Sequence, residues 1–213
     1  GILRVGWLLA AYGRTESLLR LPRPGITYAA IFGASLLAMR AFGGVRPASA
    51  VRLAGAGALA GALAYFHFDV WTTSVAALFV LGAWESLESR RLLHPLWFPA
   101  ASAALVSLPW LALNYPPDPD LLIRVATFGR APNPVSLLYL AAFCVGARRL
   151  ANSPSTPLKY LSAFMAALFL VLNVQIVTGY AIEPFHWYWF GNIYLLLLLL
   201  DILERSEQYA GNL

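Results

Sequence analysis

The chain has 213 residues, of which 60% are hydrophobic and 12% charged, with a net charge of +5 at pH 7. A soluble domain carries about 25% charged residues, so this composition argues against a water-soluble globule. The arginines gather at the ends of apolar blocks instead of forming one basic face, which argues against a nucleic-acid partner. The single cysteine, Cys144, excludes an internal disulfide and a multi-cysteine metal site, and within its apolar run it reads as a small buried hydrophobe.

Lipid satisfies no backbone hydrogen bonds, so a spanning chain is either helical or a closed barrel. Barrel strands would alternate apolar and polar residues; these blocks are apolar all round, which predicts helices. The opening stretch GILRVGWLLAAYG is too short to span comfortably and reads as an interfacial or re-entrant segment within residues 1–25. Gly1 opens the chain, and no signal-peptide order can be read after it. RLPRPG (20–25) then breaks the chain with two prolines and a glycine.

Seven spans are expected next, near 26–43, 51–67, 70–86, 97–115, 134–147, 161–182 and 187–203, forming one all-α polytopic membrane bundle over 1–213. The links GGVRPASA, RRLLHP, NYPPDPD, APNP and ANSPSTP carry loop punctuation. If the spans alternate, Arg46, Arg52, Arg90, Arg91, Arg148, Arg149, Lys159 and Arg205 share one side, with Arg40 snorkelling to it. The other side has Arg124 and Arg130, diluted by Asp118 and Asp120. That asymmetry places the first side and the C-terminus in the cytoplasm. Arg14, Arg20 and Arg23 depart from the pattern unless residues 2–12 cross or 26–43 is re-entrant.

Within 51–67, Gly57 and Gly61 form a small-xxx-small pair, the spacing that lets helix backbones approach closely in lipid. Ala-rich helices carry such spacing as filler too. Asn173 and Gln175, in VLNVQIVTGY, are expected near the membrane centre. Two positions apart on a helix is about 200°, so they are not expected to share a partner. They read as polar glue between helices, or as a substrate path. His67 in YFHFD and His186 in EPFHWYWFGN are expected at the outer interface, with Asp69, Glu183, Asp118 and Asp120 near. Such a mouth offers metal binding or acid–base chemistry, and a single axial histidine suits haem or chlorophyll. The plainer reading is histidines bonded to loops or headgroups. Trp187, Tyr188 and Trp189 read as interfacial anchors. His94 reads as a cytoplasmic loop residue, and Glu88 with Arg91, like Asp201 with Arg205, as helix-end ion pairs.

The patterns NPVSLLYLAAFCVGARRL, LNVQIVTGY and FHWYW, over about residues 131–190, resemble part of a family of large bacterial, multi-spanning predicted membrane proteins of unknown function. The resemblance implies membrane location and no particular chemistry.

Three functions follow as expectations. The leading one is a non-catalytic integral subunit, scaffold or accessory, whose partners are the bilayer and other membrane subunits. The second is a transporter or lipid-handling protein using the Asn173/Gln175 level. The third is a membrane enzyme with an outer-face site at His67, Asp69, Glu183 and His186. No cofactor is assigned.

Overall fold

A computed structural model describes residues 24–42, 49–65, 68–92, 94–95, 97–114, 131–152, 154–178 and 185–210. They are all-α, with no strand among the described residues. The helices are α1 (Pro24–Phe42), α2 (Ala50–Ala62, continued by a 3₁₀ turn, Leu63–Tyr65), α3 (Phe68–Ser89) and α4 (Trp97–Asn114). They continue with α5 (Ser136–Asn152), α6 (Thr156–Leu172), the short α7 (Gln175–Thr178) and α8 (Phe185–Ala210). The opening segment 1–23, Arg46 and the loop 115–130, with Asp118, Asp120, Arg124 and Arg130, lie outside the described residues.

Local chemistry sets several of these ends. Ser49 and Ser155 cap α2 and α6: their hydroxyls accept from Arg52 N and Leu158 N at 3.4 Å each. Pro157 sits in the first turn of α6, where a missing N–H costs nothing. At the close of α3, Arg91 N donates to Ser86 O (3.1 Å) and Arg90 N to Leu87 O (3.4 Å). This is a Schellman ending with Arg90 at the left-handed position, φ 54°, where glycine is the usual occupant. Within α4, Pro109 removes a backbone donor. One turn earlier, the Tyr65 hydroxyl donates to Val106 O at 3.0 Å, tying the end of α2 to the disturbed stretch.

The core is built round α6, which packs against α3, α5, α8 and α1. Leu158, Tyr160, Leu161, Phe164, Met165 and Leu168 of α6 are all buried. The Phe164 ring stacks on Tyr194 of α8 at 3.9 Å and meets Phe190 edge-on at 6.3 Å. Small residues set how closely helices approach. A Cβ on Gly57 would lie 2.0 Å from Pro99 O, and one on Gly61 2.4 Å from Ala103 O, so α2 lies directly on the backbone of α4. Gly146 of α5 makes room for the side chain of Ser162 of α6 (2.1 Å to Oγ), and Gly191 of α8 for that of Tyr139 of α5 (2.9 Å to the hydroxyl).

These contacts fix directions. Lys159, at the start of α6, meets Glu85 and Glu88 at the end of α3. Asn133, before α5, meets Asn173 at the far end of α6 and Tyr188 near the start of α8. Trp97 at the start of α4 meets Ser86 at the end of α3, Ser102 of α4 meets Ala54 of α2, and Tyr160 of α6 meets Ser35 of α1. One end of the bundle therefore collects the ends of α1, α3, α5 and α8 with the starts of α2, α4 and α6; we call it the basic end. The opposite, amide end carries Tyr65, Asn133, Asn173 and Tyr188.

Among the described residues, Val70–Ser89 and Thr156–Thr178 are long and apolar enough to cross a membrane by length and composition. Ala29–Arg40, Ala50–Tyr65 and Trp97–Leu113 are apolar but shorter. The sixth expected span, 161–182, overlaps the apolar stretch Thr156–Thr178, within which α6 ends at Leu172 and a turn precedes α7. The Arg148–Arg149 pair stands at the close of α5, with Arg149 in the last turn of a helix that runs to Asn152. Cys144 is exposed, not buried: it faces outward on α5, one turn from Ala141 and Arg148 and two from Leu137, which are exposed as well.

Candidate functional site

The densest polar constellation lies at the amide end. Asn133 opens α5 through its own loop chemistry. Its side-chain oxygen accepts from Val135 N at 3.0 Å, and its carbonyl accepts from Ser136 N (3.1 Å) and Ser136 Oγ (2.6 Å). With Pro134 following, this is a turn that starts a helix. Asn173 then clamps that turn from the end of α6. Its Oδ1 accepts from Asn133 N at 3.0 Å, while its Nδ2 donates to Ser136 Oγ and Phe169 O at 2.7 Å each. Gln175 Nε2 donates to Ala131 O at 3.4 Å. From α8, the Tyr188 hydroxyl bonds with the Asn133 amide (3.0 Å to Nδ2), and Asn192 Oδ1 accepts from the Tyr139 hydroxyl at 3.1 Å.

As expected, Asn173 and Gln175 share no partner: Asn173 bonds Asn133, Ser136 and Phe169, and Gln175 bonds Ala131. Asn173 is the cap residue after the last turn of α6, at φ −113° and ψ 7°. The helical angle between the two residues no longer applies past that break. Both side chains reach the same short segment, 131–136, and both are buried. Asn173 engages its oxygen and both amide protons with protein groups, an arrangement suited to fastening the end of α6 to the start of α5.

A second polar group is buried between α1, α6 and α8. Tyr160 donates its hydroxyl to Ser35 Oγ at 3.1 Å, Ser35 Oγ pairs with the Tyr194 hydroxyl, and Tyr194 donates to Ile31 O at 3.4 Å. Aromatic residues with a polar tip find partners when buried, and this chain of hydroxyls supplies them. The third group is charged and sits at the basic end. Lys159 Nζ lies 2.5 Å from Glu85 Oε1 and 2.5 Å from Glu88 Oε2, and 5.6 Å from the centre of the Trp84 ring. Trp84 Nε1 donates to the other oxygen of Glu88 at 2.6 Å. Glu88 therefore bonds to Lys159 and Trp84, and not to Arg91 as its i,i+3 spacing suggested.

Gly57 and Gly61 face α4, as described above. His67 and Glu183 lie outside the described residues, as do the side chains of Asp69, His186, Trp187, Trp189 and Arg205. Of the expected aromatic anchors, Tyr188 is described: it is half-buried, with its hydroxyl turned to Asn133. His94 lies in the turn between α3 and α4, where its carbonyl accepts from Trp97 N at 3.0 Å. Among the described residues no group of three or more His, Cys, Asp or Glu is placed to hold a metal ion. Sequence reasoning missed Ser35, Tyr160 and Tyr194, although Tyr194 stands directly before the leucine run 195–200. It missed Asn133 too, whose position before Pro134 marks a turn. Compared with known proteins, the chain matches no family model, no curated protein and no solved structure.

Proposed function

We propose that this chain is a non-catalytic integral subunit of a larger membrane assembly. The observation that carries the reading is the outer surface of the bundle. Phe98, Leu105, Leu108 and Leu113 of α4 are exposed, as are Leu137 and Leu138 of α5 and Leu196, Leu199, Leu200 and Leu203 of α8. A monomer in water rarely leaves contiguous apolar surface on this scale. Lipid tails and apolar neighbouring chains are the environments that match it.

The interior supports the same reading. Among the described residues its buried polar side chains are neutral, and the Asn133–Asn173 and Ser35–Tyr160–Tyr194 groups use their hydrogen bonds to join helices, as buried polar residues do in a membrane bundle. The charged Lys159 cluster stands at one end. Short apolar helices such as α2 and α4 gain from lateral cover by other chains. The transporter reading draws less support, because both amide protons of Asn173 and one lone pair of its oxygen are already engaged by protein groups.

Alkaline washing of native membranes, followed by mild-detergent purification, tests the proposal. The chain is expected to stay in the membrane pellet and to elute with other chains at fixed stoichiometry, and a visible absorption spectrum of that fraction reports any pigment. Recovery as a stable lone monomer with its own activity would overturn the reading.

A further inference from the structure

The basic end presents Arg40, Arg52, Arg90, Arg91, Arg148 and Arg149, all exposed. None of these guanidiniums has a carboxylate partner among the described residues. Most of them have an ordinary reason to be there: Arg40 and Arg149 lie in the last turns of α1 and α5, and Arg90 and Arg91 follow α3. A helix C-terminus carries partial negative charge, which favours cations. Arg52 has no such reason. It lies in the first turn of α2, where the helix dipole disfavours a cation.

Lys159 is in the same position at the start of α6, and there the fold supplies Glu85 and Glu88 to offset it. At Arg52 the chain supplies no counter-charge among the described residues. Resting on the membrane reading above, we infer that the counter-charge is external: the basic end binds the phosphate headgroups of anionic phospholipids in the leaflet at that face. The geometry suits this ligand. The arginines ring one end of a bundle whose sides are apolar, so their guanidiniums stand at headgroup depth when the sides are in lipid. Guanidinium forks pair bidentately with phosphate oxygens. Arg90 is fixed at the corner by its left-handed backbone, which projects it and Arg91 from the end of α3.

The test uses the full chain reconstituted in vesicles of equal parts phosphatidylcholine and phosphatidylglycerol, then purified in mild detergent, with retained lipids counted by native mass spectrometry. The wild type is expected to retain phosphatidylglycerol over phosphatidylcholine by about five-fold or more, the size expected from roughly one basic residue's worth of surface attraction. The triple variant Arg52→Gln, Arg90→Gln, Arg91→Gln is expected to lose most of that preference while keeping its helical circular dichroism. High salt should abolish the preference in the unmutated chain, which keeps the test independent of folding of the variant. Retention of both lipids in equal amounts by the wild type would overturn the inference and leave the membrane reading intact. Release of the chain from vesicles by alkaline washing would overturn both. Displacement of phosphatidylglycerol by soluble glycerol phosphate would make a free phosphate compound the ligand and overturn the assignment to the leaflet.

Discussion

Two substitutions that look alike in the sequence, Gly55→Ala and Gly57→Ala, are predicted to act in opposite directions. Both add one methyl group to α2. At Gly55 the new Cβ meets nothing within 4 Å, so the change improves helix propensity, by up to about 1 kcal/mol. At Gly57 it would stand 2.0 Å from Pro99 O and 2.2 Å from Ser102 Oγ. The first of these is backbone, so α2 and α4 must part by about 1 Å. That separation also stretches the bond from Ser102 Oγ to Ala54 O, now 2.8 Å. Overpacking of this kind costs about 1–3 kcal/mol, which exceeds the propensity gain. Gly61→Ala is predicted to follow Gly57→Ala, with its Cβ 2.4 Å from Ala103 O. Thermal unfolding in mild detergent, followed by circular dichroism, measures the difference directly. Equal melting temperatures for Gly55→Ala and Gly57→Ala would refute the α2–α4 contact as the reason for the glycine.

Other predictions concern the polar groups. Asn173→Ala removes three hydrogen bonds and leaves Asn133 N and Ser136 Oγ short of a partner, and is expected to cost about 2–4 kcal/mol; denaturant titration showing less than about 0.5 kcal/mol would contradict the clamp. Tyr194→Phe keeps the ring stacked on Phe164 but drops the hydroxyl, for about 1 kcal/mol. Phe164→Ala removes a fully buried ring and is expected to cost more, about 3–5 kcal/mol, so the reverse order of the two melting temperatures would count against the stacked core. Lys159→Met leaves Glu85 and Glu88 beside Trp84 without a cation. Because Glu88 is half-exposed, its effect is held to about 1 kcal/mol or less and should shrink with added salt; an unchanged effect at high salt would show that packing of the lysine stem, not charge, is lost.

Legibility followed the range of the interactions. The all-α class and the approximate helices were readable because long apolar runs broken by Pro, Gly and Asn are local signals. The small-residue pair at 57 and 61 was readable as a surface suited to close approach, but the spacing could not name α4 as what lies against it. The polar groups were harder. The helix end before Asn173 was hidden because the apolar run continues through Ile176 and Val177, and nothing local marks a stop at Leu172. Its turn is held by partners some forty residues away, Asn133 and Ser136. Tyr160, Ser35 and Tyr194 are further apart still in the chain, and each alone resembles an ordinary residue of an apolar helix. Glu88 was assigned a near neighbour, Arg91, when the fold offered Lys159 instead; the left-handed turn at Arg90 separates the expected pair. Cys144 misled for a related reason: an apolar sequence on all sides does not reveal which face of α5 turns outward.

The central claim is that the outward apolar faces meet lipid, and Cys144 gives direct access to it. It is the one cysteine in the chain and lies exposed on the outer face of α5. A nitroxide attached there in the reconstituted protein, with its relaxation measured in the presence of oxygen and of a water-soluble nickel chelate, reports the surrounding phase. The account predicts a label readily reached by oxygen, which concentrates in the hydrocarbon, and poorly reached by the chelate. A label as open to the chelate as one in water would contradict it.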